Sequence, residues 1–319
     1  MGAGEALRES RIDLVGMIRD GIKEREFIAG TDRTLAVGKR HHVAADRKSG
    51  KSLVEGVCTA VRIVQAGGSV AILDRENGAD EYARRLESVM TGVGADAKLW
   101  KAVAGRYSYY EFPHLQREWE TDPSYVEHFA GCDLVIFDSS RAHLTSLGLK
   151  ENSNDDFADF TEAVITPLYT GGVATMILDN TGWSGDHARG ASTKGDLCDV
   201  LFRFRKVKDF STSTRGEVEL IVDASRLGEL DGAWSMELGG GHYGPWVRKI
   251  ASASKVQVIT DEIIDALAQA AVTTGEVIQR SDLAARVGRK PDDGTFSRAL
   301  TKLTDESRVS NDGGGYTLS

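Results

Sequence analysis

The chain has 319 residues, 41% hydrophobic and 27% charged, enough for one large domain or a medium domain with a small one, and apolar enough for a packed core. Its formal net charge is −9 at a sequence pI near 5.4, which argues against a non-specific nucleic-acid coat but leaves room for a local basic loop on a ring or filament. No apolar run reaches the ~18 residues of a membrane helix; the opening MGAGEALRESRID is too charged for a secretory signal, and Ala6 stands where myristoylation needs Ser or Thr. A cytoplasmic protein with no membrane partner is the expectation.

In chain order, residues 5–27 read as a helix, with Leu7, Ile12, Val15, Ile18 and Ile22 three or four apart. Thr34 to Ala45 reads as strand, ending in His41-His42-Val43-Ala44-Ala45. Ser52 to Gln65 is a helix with Leu53, Val57, Val61 and Val64 on one face and Gly67-Gly68 closing it. Ser69 to Asp74 is a buried strand, Asp80 to Val89 a helix, Tyr107 to Phe112 and Leu134 to Asp138 strands. A helix from Asp156 to Tyr169 stops at Gly171-Gly172, and Val173 to Asp179 is the next strand, with edge strands over Val200–Phe204 and Val218–Val222. Strands alternating with helices predict an α/β fold with a mostly parallel sheet covered on both faces. Around 225–255, Gly239-Gly240-Gly241, Pro245, Trp234 and Trp246 suggest the end of the core and a linker. The expected division is an N-terminal helical segment over 1–30, a core over 31–252 and a separate unit over 256–319.

The strongest motif is Ala45-Asp46-Arg47-Lys48-Ser49-Gly50-Lys51-Ser52, with Leu53 opening the helix. It matches the phosphate-binding pattern G-x-x-x-x-G-K-[ST] between a strand and a helix, with Ala45 in place of the first glycine, a methyl group tolerable if φ stays negative. Gly50 lets backbone amides face phosphates, Lys51 reaches the β- and γ-phosphates, and the Ser52 hydroxyl ligates Mg²⁺. The helix start adds partial positive charge. Asp138, closing the apolar run Leu134-Val135-Ile136-Phe137, suits the metal's water shell, and Glu76, just past the strand ending at Asp74, is the candidate base for an attacking water. ATP and Mg²⁺ are the implied ligands.

Four blocks carry a family likeness: R-K-S-G-K-S (47–52), L-D-R-E-N-G-A-D-E-Y-A-R-R-L (73–86), D-L-V-I-F-D-S (133–139) and H-A-R-G-A-S-T-K-G-D (187–196), with E-N-S-N-D-D (151–156) also fitting. On these the chain resembles the RepA-like branch of the RecA-type P-loop ATPases of plasmids, phages and mobile elements, over roughly half its length. The resemblance implies a RecA-like core, Glu76 activating water, Asp138 serving the metal, and a basic residue of the fourth block, Arg189 or Lys194, reaching a neighbouring subunit's ATP as a finger worth ~10³–10⁵ in rate. It therefore implies a homo-oligomer, a ring (hexameric in such relatives) or a filament, acting on single-stranded DNA. Where many relatives carry D-H-x-x-K, this chain has Asp179-Asn180-Thr181-Gly182-Trp183. Asn180 can still hydrogen-bond a phosphate or the water, whereas Trp183 supplies no charge.

Residues 276–288 read as the first part of a helix-turn-helix, with Ser281 as N-cap, Leu283, Ala284 and Val287 inward and Gly288 as stop. Thr295 to Thr304 is the second helix, with Phe296, Leu300 and Leu303 inward, and Arg308-Val309 with Tyr316-Thr317-Leu318 form a two-stranded wing. This resembles a winged-helix domain. Arg289, Lys290, Thr295, Ser297, Arg298 and Lys302 lie near its recognition helix, where they would meet DNA. Such domains also contact proteins, and ten acidic against eight basic side chains over 255–319 do not choose between the two.

Cys58, Cys132 and Cys198 are scattered in apolar surroundings, which reads as small buried thiols rather than a disulfide framework or zinc site. His41 and His42 show no acidic partner or third ligand in the sequence. Tyr107, Tyr109 and Tyr110 read as sheet-filling, and Gly239-Gly240-Gly241 as a turn. Two functions fit: an ATP-driven motor on single-stranded DNA, akin to a mobile-element helicase, or a nucleotide-dependent assembly switch whose winged helix recruits DNA or a partner.

Overall fold

A computed structural model describes residues 5, 11–180, 195–228, 230, 232–240 and 248–251, and further on 259–260, 262–264, 266–268, 270, 277–305, 308–311 and 315–318. Its centre is a nine-stranded sheet in the order β3-β2-β4-β5-β1-β6-β7-β8-β9. The strands are β1 (Arg40–Ala45), β2 (Val70–Asp74), β3 (Tyr107–Glu111), β4 (Leu134–Asp138), β5 (Ala174–Asn180), β6 (Val200–Lys208), β7 (Arg215–Ser225), β8 (Ala233–Gly239) and β9 (Arg248–Ala251). The first six in sequence run parallel, and β7, β8 and β9 are added antiparallel at one edge. This is a mostly parallel α/β sheet, with β5 inserted between β1 and β4.

Successive residues of the central strands feed opposite cores, as the two-residue period of a strand requires. Val70, Ile72, Leu134 and Ile136 enter the core beneath the helix that follows β1, while Ala71, Leu73, Val135 and Phe137 enter the core on the other face with Phe157, Phe160 and Leu168. Both faces are buried, so these strands read as unbroken apolar runs. The helix after β1 opens with a π-helical stretch, Ser52–Cys58, and continues as α2 (Thr59–Gln65). Its closing turn is a Schellman arrangement: Gly67 has φ 99, and the Gly68 amide donates to the Ile63 carbonyl at 2.9 Å.

Helix α3 (Ala79–Gly92) is longer than the expected 80–89, and the helix read over 156–169 is α7 (Asn154–Phe160), a π-helical Thr161–Ile165 and α8 (Thr166–Thr170). Among the helices that went unread are α4 (Ala97–Arg106), α5 (Pro123–Phe129) and α6 (Ser140–Ser146). At the N-terminus, the helix expected over 5–27 is found at Glu5 and over α1 (Leu14–Asp20) among the described residues, with residues 11–13 and 21–27 not helical. Helix α1 is capped by Asp13, which accepts from the Gly16 amide at 3.0 Å, and it stops at Gly21, where φ is 92. Ile12, Leu14, Val15, Met17, Ile18 and Ile22 are all exposed; apolar spacing alone does not extend a helix that has nothing to bury against. The segment read as a linker after 225 contains β8 and β9, and Trp234 is buried beside Phe202 with ring centroids 6.5 Å apart.

The C-terminal residues have their own core, built from Ile263, Leu267, Leu283, Phe296, Leu300 and Leu303 among others. Helices α9 (Arg280–Arg286) and α10 (Gly294–Asp305) precede an antiparallel pair, β10 (Val309–Asn311) with β11 (Tyr316–Leu318), and Ile278 bridges to Tyr316. Ser281 lies inside α9 rather than capping it; Gln279 is the cap position, and Asp293 accepts from the Thr295 and Phe296 amides at 2.8 Å at the start of α10.

Two buried histidines make folding pH-dependent. His41 accepts from the Ala36 amide at 3.0 Å and places Nδ1 3.1 Å from the Thr175 carbonyl, and burial pushes its pKa down from 6.5 to about 4. His143, with Nε2 2.9 Å from the Leu73 carbonyl, is likewise lowered by burial to about 4. Between those limits the unfolded chain holds more protons than the folded one, so stability is complete above pH 6.5 and is lost as pH falls towards 4. The loss is roughly 3 kcal/mol for each ring. Urea unfolding at a series of pH values will show a midpoint that declines through this window and that declines less in a His143→Gln variant.

Candidate nucleotide-binding site

The parallel strands deliver their C-terminal ends to one line. Ala45 stands opposite Asn180, Asp138 opposite Leu178 and Asp74, and Asp74 opposite Glu111. Side chains placed just past these ends therefore converge on one edge of the sheet, where open α/β sheets bind ligands.

The loop after β1 is wound by two left-handed residues, Lys48 (φ 60) and Gly50 (φ 95), whereas Ala45, buried at the strand end, is not among the residues with positive φ. Gly50 is required on two counts: its φ, and the Phe210 ring, whose Cζ would lie 2.5 Å from any Cβ there. Asp46, Arg47 and Lys48 are exposed on the loop; Ser49 is buried, with its amide donating to the Asp46 carbonyl at 3.2 Å. Lys51 is buried at the helix start, and its Nζ donates to Asn180 Oδ1 at 2.9 Å, so the loop and the end of β5 are joined through these two side chains. A cleft of about 640 Å³ opens over the loop, walled by Leu53, Glu76, Arg84, Arg85, Asn180 and Phe210 among others.

Asp138 is fully buried. Its Oδ2 accepts from Tyr82 Oη at 2.6 Å and from Asn77 Nδ2 at 3.0 Å, while Oδ1 is buried with no hydrogen-bond partner among the described residues. Burial raises its pKa above the ordinary carboxylate value; the Lys51 charge, Tyr82 and the nearby Ser52 hydroxyl oppose the rise, and Asp74 adds to it. An orphaned carboxylate oxygen beside a hydroxyl is a pair of hard oxygen donors, and Mg²⁺ prefers one or two such protein ligands with water and phosphate completing its shell. Ser52 and Asp138 thus fit the ion. No group of three or more His, Cys, Asp or Glu suited to a metal occurs among the described residues.

Glu76 is exposed on the loop after β2 and lines the cleft. That loop is tied down by Asp74, which accepts from the Glu76 amide at 3.0 Å, the Asn77 amide at 3.1 Å, the Gly78 amide at 2.7 Å and Tyr109 Oη at 2.8 Å. Asn77 bridges Asp74, Asp138 and Arg85, whose Nη1 donates to Asn77 Oδ1 at 3.1 Å. Sequence reasoning missed Asp74, Asn77, Tyr82 and Phe210. For the first two, the D-x-x-N-G string was a usable turn signal, since Asp and Asn side chains take backbone amides a few residues on; Tyr82 and Phe210 carried none. His42, read as lacking an acidic partner, has one: its Nε2 lies 3.2 Å from buried Asp179 Oδ2, while Asp179 Oδ1 accepts from Ser140 Oγ at 2.5 Å and the Asn180 amide at 2.9 Å.

Arg189 and Lys194 lie outside the described residues, as do Thr181, Gly182 and Trp183. Far along the chain, Arg289 and Lys290 are exposed in the turn between α9 and α10, Arg298 is exposed on α10 with Nε donating to the Gly294 carbonyl at 3.1 Å, and Lys302 is half-buried.

No family model matches the chain, and no curated protein matches it. Among solved structures, it is similar to the flagellar accessory protein FlaH from Methanocaldococcus jannaschii at 14% identity and TM-score 0.45, over 67% of this chain and 91% of that one. It is also similar to the KaiC-like protein PH0186 from Pyrococcus horikoshii OT3 at 13% identity and TM-score 0.47, over 71% and 99%.

Proposed function

We propose that this chain is a Mg-ATP-dependent ATPase of the RecA type that works as a DNA-associated motor, of the RepA-like kind found in mobile elements. The observation that carries the ATPase reading is the convergence of Lys51, Asn180, Asp138 and Glu76 on one sheet edge, with Lys51 bonded to Asn180 and an unsatisfied oxygen on Asp138. Backbone amides of residues 48–52 and the Lys51 ammonium hold the phosphates; Ser52 and Asp138 would hold Mg²⁺, which would neutralise phosphate charge. Glu76 accepts a proton from water as its oxygen bonds to the γ-phosphorus; the bond to the β–γ bridging oxygen breaks, and ADP departs with the electron pair. Asn180 hydrogen-bonds the γ-phosphate in place of the histidine of many relatives. Phe210 and the arginines of α3 line the same cleft and are the groups available to the base.

The trans finger (Arg189 or Lys194), the ring or filament, single-stranded DNA as partner and the winged-helix role of residues 256–319, with Arg289, Lys290, Arg298 and Lys302 facing DNA, belong to the same proposal. The switch reading is favoured by two features, Trp183 in place of a basic residue and the net acidic charge of −9. Steady-state ATP hydrolysis with and without single-stranded DNA separates the two. The motor reading expects the rate to rise several-fold with DNA; slow, DNA-independent turnover accompanied by ATP-dependent assembly selects the switch, and absence of any turnover above a Lys51→Ala background rejects the ATPase assignment.

A further inference from the structure

A second cleft, of about 600 Å³, adjoins the first and runs from Arg47 and Glu76 to α6. It shares Arg47, Glu76 and Asn180 with the first cleft, so the two meet where the γ-phosphate belongs in the reading above. Its described lining includes three arginines, Arg47, Arg75 and Arg141, against one carboxylate, Glu76. Two of the arginines are braced. Arg75 Nη1 donates to the carbonyls of Phe112 at 2.9 Å and Pro113 at 2.5 Å, and Arg141 Nε pairs with Glu151 at 3.3 Å. Each bracing contact engages one nitrogen and leaves the rest of the fork to a ligand. Arg47, exposed on the loop, has no ion pair or side-chain hydrogen bond among the described residues. Guanidinium forks match tetrahedral oxyanions, and this lining lacks the large apolar side chains a greasy ligand needs.

From this cleft we infer a second phosphate-binding site beside the phosphate loop, made by Arg75 and Arg141 together with Arg47 of that loop, and reached from the γ-phosphate position past Glu76 and Asn180. The inference rests on the ATPase reading for its biological use, but Arg75 and Arg141 belong to this cleft alone. Two sources supply a phosphate there. One is the inorganic phosphate released by hydrolysis, for which ADP in the first cleft leaves this side as the exit. The other is a phosphodiester of a nucleic acid passing the sheet edge, which would place the polymer's charge against Glu76 and so tie its presence to turnover.

The test fills the first cleft with a non-hydrolysable ATP analogue, so that the γ-phosphate position is taken. It then measures binding of radiolabelled inorganic phosphate, and separately of a fluorescent oligo-dT, to wild type, Arg141→Ala and Arg141→Lys. Arg141 is half exposed and, among the described residues, paired only with Glu151, so analogue binding and the melting temperature are expected to hold in both variants. Phosphate binding that falls at least ~10-fold in Arg141→Ala, with partial recovery in Arg141→Lys, supports the site with the free ion as ligand. If inorganic phosphate does not bind but oligo-dT binding weakens in the same pattern, the site stands with a phosphodiester as ligand. If neither probe binds, or both bind equally to all three proteins, the inference is overturned. Should the analogue itself fail to bind wild type, the ATP reading fails, and the same probes on the ligand-free protein still decide the second site.

Discussion

Changing Glu76 to glutamine is expected to cut kcat for ATP hydrolysis by roughly 10²–10⁴-fold while leaving ATP affinity near wild type. The amide keeps the size and hydrogen-bonding reach of the carboxylate but cannot take the proton of the attacking water. The loop holding the residue is fixed through its amides, which donate to Asp74, rather than through the Glu76 side chain, so the substitution leaves the loop in place. Steady-state kinetics together with equilibrium binding of a fluorescent ATP analogue give the split between kcat and affinity. A kcat within a few-fold of wild type would move the base to another residue; a parallel loss of binding would mean that Glu76 acts in the ground state.

The second large effect is expected at Lys51. Lys51→Ala removes the ammonium from the phosphates, at a cost of about 3–4 kcal/mol, or ~10²–10³-fold in nucleotide binding or turnover. It also removes the charge that opposes the rise of the Asp138 pKa. The sign follows from competition between metal and proton for the same carboxylate: raising its pKa raises the pH below which Mg²⁺ is lost. Wild type should therefore lose Mg-ADP affinity as pH falls, and in Lys51→Ala that loss should set in at higher pH. Lys51→Arg keeps the charge and should retain the wild-type pH slope even where its affinity is lower. Equal slopes in wild type and Lys51→Ala would separate Lys51 from Asp138 electrostatically and count against a shared site.

Much of the core was legible because buried parallel strands write themselves as unbroken apolar runs: Val70 to Leu73, Leu134 to Phe137 and Ala174 to Leu178 needed no tertiary information to be seen. The phosphate loop was legible for a different reason, since only a few residue types permit that backbone path. What was misread depended on partners distant in sequence. Strands β8 and β9 run through a Gly- and Trp-rich stretch that looks like a linker until β7 is there to pair with it. Helices α4 to α6 are short and of mixed composition, held by packing rather than propensity. In the site, Lys51, Asp138 and Glu76 announced themselves by position after strands, but Tyr82 reaches Asp138 across 56 residues and Phe210 reaches Gly50 from a hairpin far along the chain. No local pattern encodes such meetings.

The knot at Asp74 bears on how turnover is controlled. Three consecutive amides, one side-chain amide and a tyrosine hydroxyl converge on that single carboxylate, so the segment carrying Glu76 is anchored to the end of β2. If Glu76 orients the attacking water as proposed, its backbone is already held in place before any nucleotide arrives. On such a frame the throttle would be admission: the rate would answer to what enters the clefts beside Glu76 and how soon it leaves, and a regulator would gain control by blocking a doorway.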